Sequence, residues 1–450
     1  MEINMKFFLN GVHVPHRKNT KDMQAVRMAP PKEVVIPTLM HIGKPATPIV
    51  KAGDEVFVGT LIAEQNGFVS SPVYSSVSGK VKSVGEIFSP NGTKCQAITI
   101  ISDGNMTPAP DIAPPTVETK ADLVAAIQKS GTVGLGGAGF PSHVKFNIPD
   151  DKSVDTLVIN GAECEPYITS DTRTMIDKAD DMLRGIRAIA DILNIGRVII
   201  GIENNKEKAI ASMRALSSED PRIEVCVLPS LYPQGGEKVL VYHTLGRVIP
   251  AGKLPLDVGC IVSNCTTVAC IGGYLKTGMP LVSKCITVDG GALNSRGNVI
   301  VPIGTSVSDV FEFIGGLREF PHKVLLGGPM MGVAISTLST PVMKNTNAIL
   351  ALTNDEIREK EQTACIRCGA CVSHCPLSLN PQGYLKAFRA NKLEDLERMR
   401  VDICMECGCC SYICPTAQPL VETNKLAKAL LRKKKENEKN KSQEGNKNVK

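Results

Sequence analysis

Nine of the sixteen cysteines stand in two short runs near the end of this 450-residue chain, eight of them in a repeated spacing. The first, "CIRCGACVSHCP", supplies Cys365, Cys368, Cys371 and Cys375 ahead of Pro376. The second, "CMECGCCSYICP", supplies Cys404, Cys407, Cys410 and Cys414 ahead of Pro415. Both follow C-x2-C-x2-C-x3-C-P. A tight loop with this spacing wraps three thiolates around one corner of an iron–sulfur cubane, and a helical turn carries the fourth to a neighbouring cluster. One 4Fe-4S cluster is therefore expected on Cys365, Cys368, Cys371 and Cys414, the other on Cys404, Cys407, Cys410 and Cys375. Cys409 is off-register and reads as a nearby thiol. A structural zinc site also uses four cysteines, but two complete quartets with trailing prolines fit iron–sulfur better. In a reducing compartment so many cysteines argue for metal ligation over disulfides. Cys95, Cys164, Cys226, Cys260, Cys265, Cys270 and Cys285 lack ligand spacing and read mostly as small buried hydrophobes.

A second chemical feature is "GTVGLGGAGFPSHVKF", with five glycines between Gly131 and Gly139. Glycine tolerates positive φ and close approach, so such a segment can turn several backbone amides onto one anionic group. The dinucleotide pattern G-x-G-x-x-G is met only loosely, at Gly134, Gly136 and Gly139, and a glycine-rich turn without a ligand fits as well.

Three further segments follow in order, "INGAECEP", "YPQGGEK" and "VSNCTTV". Together with the glycine loop they resemble the flavin- and NADH-binding subunit of respiratory complex I. The resemblance implies that Gly136, Gly137, Ala138, Gly139, Phe140 and Lys145 line a flavin and nucleotide pocket. It implies FMN held by Asn160, Gly235, Asn264 and Thr267, and NADH faced by Glu165, Glu237 and Lys253. Lys145 would offset phosphate charge, and the Glu165 carboxylate would accept from ribose hydroxyls. The chain departs from that pattern at Leu135 (usually arginine), Ala162 (usually acidic) and Leu256 (often an aromatic that stacks on adenine).

The elements that must position these groups fall into several domains, as the chain length requires. From about Glu33 to Ile101, short alternating strands such as Glu55–Val58 and Gly79–Val84 lie between glycine and proline turns. This part resembles the barrel-sandwich hybrid of biotinyl and lipoyl carriers. Its turn, Gln65-Asn66-Gly67-Phe68-Val69, carries no lysine, so a docking module is expected rather than a swinging arm. A proline-rich connector, 106–118, follows this N-terminal unit, 1–105. Residues 119–275 alternate "DTLVING" and "GRVIIGIEN" strands with a helix carrying Met182, Ile186, Ile189 and Leu193, a mainly parallel α/β pattern. A small α+β module is expected over 276–345, the cluster domain over 346–424 and a Lys-rich tail over 425–450.

That tail has ten Lys/Arg against three Glu, a local +7, so the rest of the chain is near −1 within a net charge of +6. The tail reads as a disordered end, with weak tethering to an anionic membrane surface or an acidic partner as the sharper alternative. With no tryptophan and few aromatics, a nucleic-acid stacking surface is not expected. No run reaches the length of a membrane span, and Phe7-Phe8-Leu9 is too short for a signal-peptide core.

The whole order resembles the C subunit of the Rnf electron-transport complex. The fold class this implies is multidomain α/β and α+β. It comprises a barrel-sandwich hybrid, a Rossmann-like FMN/NADH domain, a β-grasp (SLBB) module, a two-cluster ferredoxin domain and a basic tail. That family implies a peripheral subunit on the cytoplasmic face of a membrane complex, exchanging electrons between ferredoxin and NAD(H). Its cofactors would be FMN and two 4Fe-4S clusters, its partners the other subunits, including a ferredoxin-type iron–sulfur subunit. Hydride exchange between nicotinamide and flavin needs no side-chain acid or base. Two alternatives are a cobalamin reductase of propanediol-utilising microcompartments, similar in modules, and a non-catalytic electron-transfer scaffold.

Overall fold

The computed structural model describes residues 9–90, 92–357 and 360–447; the Phe7-Phe8 pair and the last three residues of the tail lie outside them. Two small sheets form the N-terminal unit. One orders Glu33–Pro37, Lys94–Ser102, Gly79–Phe88 and Glu55–Val56 antiparallel; the other orders Thr47–Pro48, Leu61–Glu64 and Val73–Tyr74. Alternation places Val34, Ile36, Ile62, Val73, Val81, Ile98 and Ile100 in a shared core, as a barrel-sandwich hybrid requires. The proline-rich connector runs extended along this unit, with Val58 bridging Pro108 and Ala109 buried.

The next domain carries four parallel strands in the spatial order Ile223–Leu228, Arg197–Glu203, Thr156–Gly161, Cys260–Asn264. All four are almost continuously buried because helices cover both faces, which explains their unbroken apolar runs. Chain order reverses between Thr156–Gly161 and Cys260–Asn264. That is the switch point at which doubly wound sheets open a ligand crevice beyond the strand ends. Helices Ala179–Ile192 and Cys265–Thr277, the second of which starts at that edge, pack almost in backbone contact. A Cβ on Gly272 would lie 1.8 Å from the Asp181 carbonyl oxygen, and one on Gly185 2.3 Å from that of Val268. Larger residues would push the second helix, and the Asn264 that caps it, away from the crevice.

The α+β module is a six-stranded mixed sheet ordered Ala25–Arg27, Gly297–Pro302, Ser283–Asp289, Ala348–Leu352, Lys323–Leu326, Val333–Ile335. Helix Val307–Phe313 packs on it through Val307, Val310 and Phe311. This corrects two expected boundaries. The N-terminal arm contributes an edge strand, and the fully buried "AILAL" strand at Ala348–Leu352 pairs with Ser283–Asp289 and Lys323–Leu326, so the module ends beyond residue 345.

In the C-terminal domain the two cysteine runs are conformational copies offset by 39 residues. Arg367 and Glu406 (φ 56° and 59°), Gly369 and Gly408 (76° and 83°), and Ser378 and Ala417 (53° and 48°) repeat the same left-handed positions. The tail differs from expectation. Instead of a disordered end, helix Leu420–Lys447 continues through it. Ala427 and Leu431 bury against helices Pro381–Arg389 and Leu393–Arg398, and Lys434 meets Glu397 at 3.1 Å. Lys, Arg, Leu, Ala and Glu are good helix formers, so one anchored face suffices to extend the helix.

Candidate flavin crevice and cluster loops

The eight expected ligands separate into two cavities. One is lined by Cys365, Cys368, Cys371 and Cys414, the other by Cys375, Cys404, Cys407 and Cys410. The fourth cysteine of each run has crossed to the other run's cavity, the exchange expected from the spacing. Backbone and amide donors already point at sulfur: Leu379 N at Cys375, Glu406 N and Asn424 Nδ2 at Cys404, Gln418 N at Cys414, each at 3.4 Å. Such donors stabilise negative sulfur and tune its potential, so the donor set fits iron–sulfur clusters. Cys409 also borders the second cavity, and its thiol lies 3.8 Å from the Tyr232 carbonyl oxygen.

The two loops face different surroundings. Cys365 and Cys368 are exposed, whereas Cys407 and Cys410 are buried. The second run packs into an apolar junction with Val12, Val14, Cys164, Tyr232, Met330 and Met405. There the Tyr232 phenol donates to the Cys407 carbonyl at 2.7 Å, and a Cβ on Gly236 would lie 2.2 Å from Met405 Cε.

The crevice lies on the other side of this junction. Asn160 and Asn264 end the two switch-point strands and are register partners. Asn160 donates to the Gly235 carbonyl at 2.9 Å; Asn264 accepts from Thr267 N at 3.2 Å and donates to Asp171 at 2.8 Å. Thr267 in turn accepts from Leu135 N at 2.9 Å, which fixes the glycine loop to the helix start. The loop closes on itself through Gly134 N to Phe140 O (2.7 Å) and Gly139 N to Gly134 O (3.0 Å). Gly136, Gly137 and Ala138 are left as an exposed rim. Lys145 donates to the Val262 carbonyl at 2.8 Å and stands 3.4 Å from Glu237. Glycine loop, Asn160, Gly235, Asn264, Thr267, Lys145 and Glu237 thus converge at one end of the sheet.

Two expected residues are not brought to open space there. Glu165 is turned into the α+β module, where its Oε2 accepts from Met330 N at 3.1 Å, while its Oε1 is buried without a partner. Burial raises its pKa to about 7, against the pull of the Met330 and Met331 amides. Lys253 stands exposed on a turn. Leu135 also reads differently in three dimensions. Its side chain is fully buried in the barrel-sandwich core, so the missing arginine leaves a domain contact and not a gap in the crevice. Ala162 is fully buried, and the neighbouring Glu163 carboxylate caps helix Ser170–Asp177 by accepting from Asp171 N (2.7 Å) and Thr172 N (3.2 Å). Leu256 packs half-buried against the sheet core.

Sequence reasoning missed Lys18, whose ammonium donates to the carbonyls of Glu163 (2.7 Å), Glu165 (2.8 Å) and Ile168 (2.6 Å). Burial pushes its pKa down to about 8. It also missed Asp171, which receives both Asn264 and Thr266. The only local signal for Asp171 is an acid in a first helical turn; Lys18 has none.

The flavin fit rests on donors that this chain leaves over. Among the described residues the amides of Gly136, Gly137 and Ala138 meet no acceptor, and Gln234 Nε2 beside Gly235 is buried without one. These suit an anionic, hydrogen-bonding ligand.

Four family matches cover successive domains: the RnfC barrel sandwich hybrid domain (6–105), the Nuo51 FMN-binding domain (127–272), the SLBB domain (285–334) and a 4Fe-4S dicluster domain (361–418). The C subunit of the proton-translocating ferredoxin:NAD(+) oxidoreductase complex from Clostridium ljungdahlii is 43% identical, over 84% of this chain and 83% of that protein. Its Na(+)-translocating counterpart from Acetobacterium woodii is 41% identical, over 88% and 90%. The C subunit of an ion-translocating oxidoreductase complex from Rhodobacter capsulatus is 38% identical, over 94% and 82%. Among solved structures, a chain of the NAD+-reducing [NiFe]-hydrogenase in its air-oxidised state shares the fold. Its TM-score is 0.50 at 16% identity, over 66% of this chain and 60% of that one. The chain belongs to the C subunits of the ion-translocating ferredoxin:NAD(+) oxidoreductase (Rnf) complexes.

Proposed function

We propose that this chain is the NADH-, FMN- and iron–sulfur-bearing subunit of a membrane-bound ferredoxin:NAD+ oxidoreductase, seated peripherally on its cytoplasmic face. The observation that carries this reading is the junction at Tyr232. It sets the second cysteine run directly against the strand ends where Asn160 and Gly235 meet. No helix among the described residues is long and apolar enough to cross a membrane, which is compatible with attachment through partner subunits.

Flavin, when bound, converts the two-electron chemistry of nicotinamide into the one-electron chemistry of iron–sulfur clusters. The residues around it have positioning roles. Asn160, Asn264 and Thr267 hold the crevice walls in register. The rim from Gly136 to Ala138 offers amides to phosphate, and Lys145 beside Glu237 offers compensating charge. Buried packing around Tyr232 and Met405 excludes water between the crevice and the inner cysteine quartet, while the outer quartet opens at exposed Cys365 and Cys368 toward an iron–sulfur partner. No side chain is required to move a proton.

The relatives from ion-translocating complexes favour this reading over a cobalamin reductase. The test is anaerobic addition of NADH to the reconstituted full-length chain, followed by visible absorbance. Bleaching of the flavin band is expected. Flavin that is bound yet stays oxidised would favour the scaffold alternative.

A further inference from the structure

Three side chains leave the α+β module and donate to the glycine-rich segment of the flavin domain. Lys344 Nζ reaches the Gly131 carbonyl at 2.7 Å, Lys284 Nζ the Leu135 carbonyl at 2.7 Å, and Asn345 Nδ2 the Gly137 carbonyl at 2.9 Å. These contacts span 149 to 213 residues of chain. Lys284 is 4% exposed and Lys344 1%, so both are built into the interface. A buried ammonium is retained only where several oxygens receive it. Lys344 also binds Pro72 O and Ser71 Oγ, and Lys284 binds Asn347 Oδ1.

The direction of these bonds matters. In a trans peptide the C=O and the following N–H point to opposite sides. Drawing the Leu135 and Gly137 carbonyls toward the α+β module therefore turns the amides of Gly136 and Ala138 outward, onto the exposed rim. Those amides have no acceptor among the described residues, whereas Gly134 N, Leu135 N and Gly139 N do. At Gly137 (φ +123°) the backbone is in a conformation that favours glycine. Among the described residues, nothing within the flavin domain itself holds the Leu135 and Gly137 carbonyls.

We propose that Lys284 and Asn345, from the α+β module, are positioning residues that orient the Gly136–Ala138 amides for a ligand phosphate. This rests on the reading that flavin and nucleotide bind at this loop. Either FMN or NADH could supply the phosphate, and the two are separable by experiment. Lys284 also sets a buried positive charge behind the rim, which adds to attraction of an anion in front of it.

The test uses the full-length, cluster-loaded chain and its K284M and N345A variants. Each is titrated with FMN and with riboflavin, which lacks the phosphate, and the KM for NADH is measured on flavin-loaded protein. Loss of one charge-assisted or neutral hydrogen bond at the loop should weaken phosphate binding roughly tenfold. If the flavin phosphate is the ligand, FMN affinity falls while riboflavin affinity holds, so the FMN:riboflavin preference shrinks. If the dinucleotide phosphate is the ligand, the KM for NADH rises with kcat and FMN affinity kept. S306A, which removes the cap of helix Val307–Phe313 in the same module without touching the loop, controls for simple destabilisation and should change neither ratio. Should K284M not fold, N345A alone decides, because Asn345 is only half-buried. An FMN:riboflavin preference and a KM that both stay at wild-type values would overturn the proposal. So would equal losses for FMN and riboflavin. Wild-type protein that binds neither flavin would instead overturn the functional reading beneath it.

Discussion

The Tyr232 hydroxyl donates to the Cys407 carbonyl across 2.7 Å, joining the turn that precedes Gly235 to the loop that carries three cysteines. The ring itself is 2% exposed and packs with Met405 and Cys409, so this one side chain both seals and fastens the junction.

Replacing Tyr232 with Phe removes that bond and keeps the packing. A buried carbonyl then loses its partner, which costs about 1–3 kcal/mol. Denaturant unfolding should show this loss, and electron delivery from NADH to the clusters, followed by stopped-flow absorbance, should slow more than flavin reduction does. Equal slowing of both would place the role of Tyr232 elsewhere.

The crossed ligand sets separate two cysteines of similar sequence position. Cys375→Ser should damage the cluster of the second run and Cys414→Ser that of the first, each leaving about half the iron of the parent. Cys409→Ser should retain all of it. Iron analysis with low-temperature EPR distinguishes these outcomes, and a Cys375→Ser protein that lost the first-run cluster would refute the crossing.

Leu135 offers a test of location. As a fully buried core residue it should cost about 2–5 kcal/mol on truncation to Ala. Leu135→Arg, which restores the arginine usual in complex I relatives, should destabilise the chain and not improve NADH binding, because the side chain enters the barrel-sandwich core. Thermal denaturation and the NADH KM check both.

Glu165 makes stability depend on pH. Its folded pKa, near 7, lies above its ordinary value of 4.5. Its contribution is therefore fully present below about pH 4.5 and is lost as pH rises through 7. Between those values wild type should lose roughly 3 kcal/mol relative to Glu165→Gln, whose side chain stays neutral. Urea unfolding at pH 5 and pH 8 measures the difference; a variant advantage that does not grow with pH would contradict the raised pKa.

Much of this architecture is legible because its signals are local. The cysteine spacing anticipates which of the eight in-register thiols share each cavity, and the unbroken apolar runs around Ile159 and Ile200 mark buried parallel strands. The order of motifs is enough to bring Asn160, Gly235 and Asn264 together. What escapes acts at long range. Lys18, Lys284 and Asn345 look like ordinary polar residues in sequence, and only folding sets them against backbone carbonyls more than a hundred residues away. Leu135 misleads because its neighbours along the chain belong to the crevice while its side chain belongs to another domain. The tail composition suggests disorder because charge hides one apolar edge, Ala427 and Leu431. Ala348–Leu352 falls to the cluster domain in sequence because sheet pairing is not written in a five-residue apolar run.

Metal and sulfide content of the anaerobically isolated full-length chain tests the account most directly. Two crossed cysteine quartets predict about eight iron and eight acid-labile sulfide per chain, with little zinc. Stoichiometric zinc without labile sulfide would contradict it, and with it the electron path that the Tyr232 junction supports.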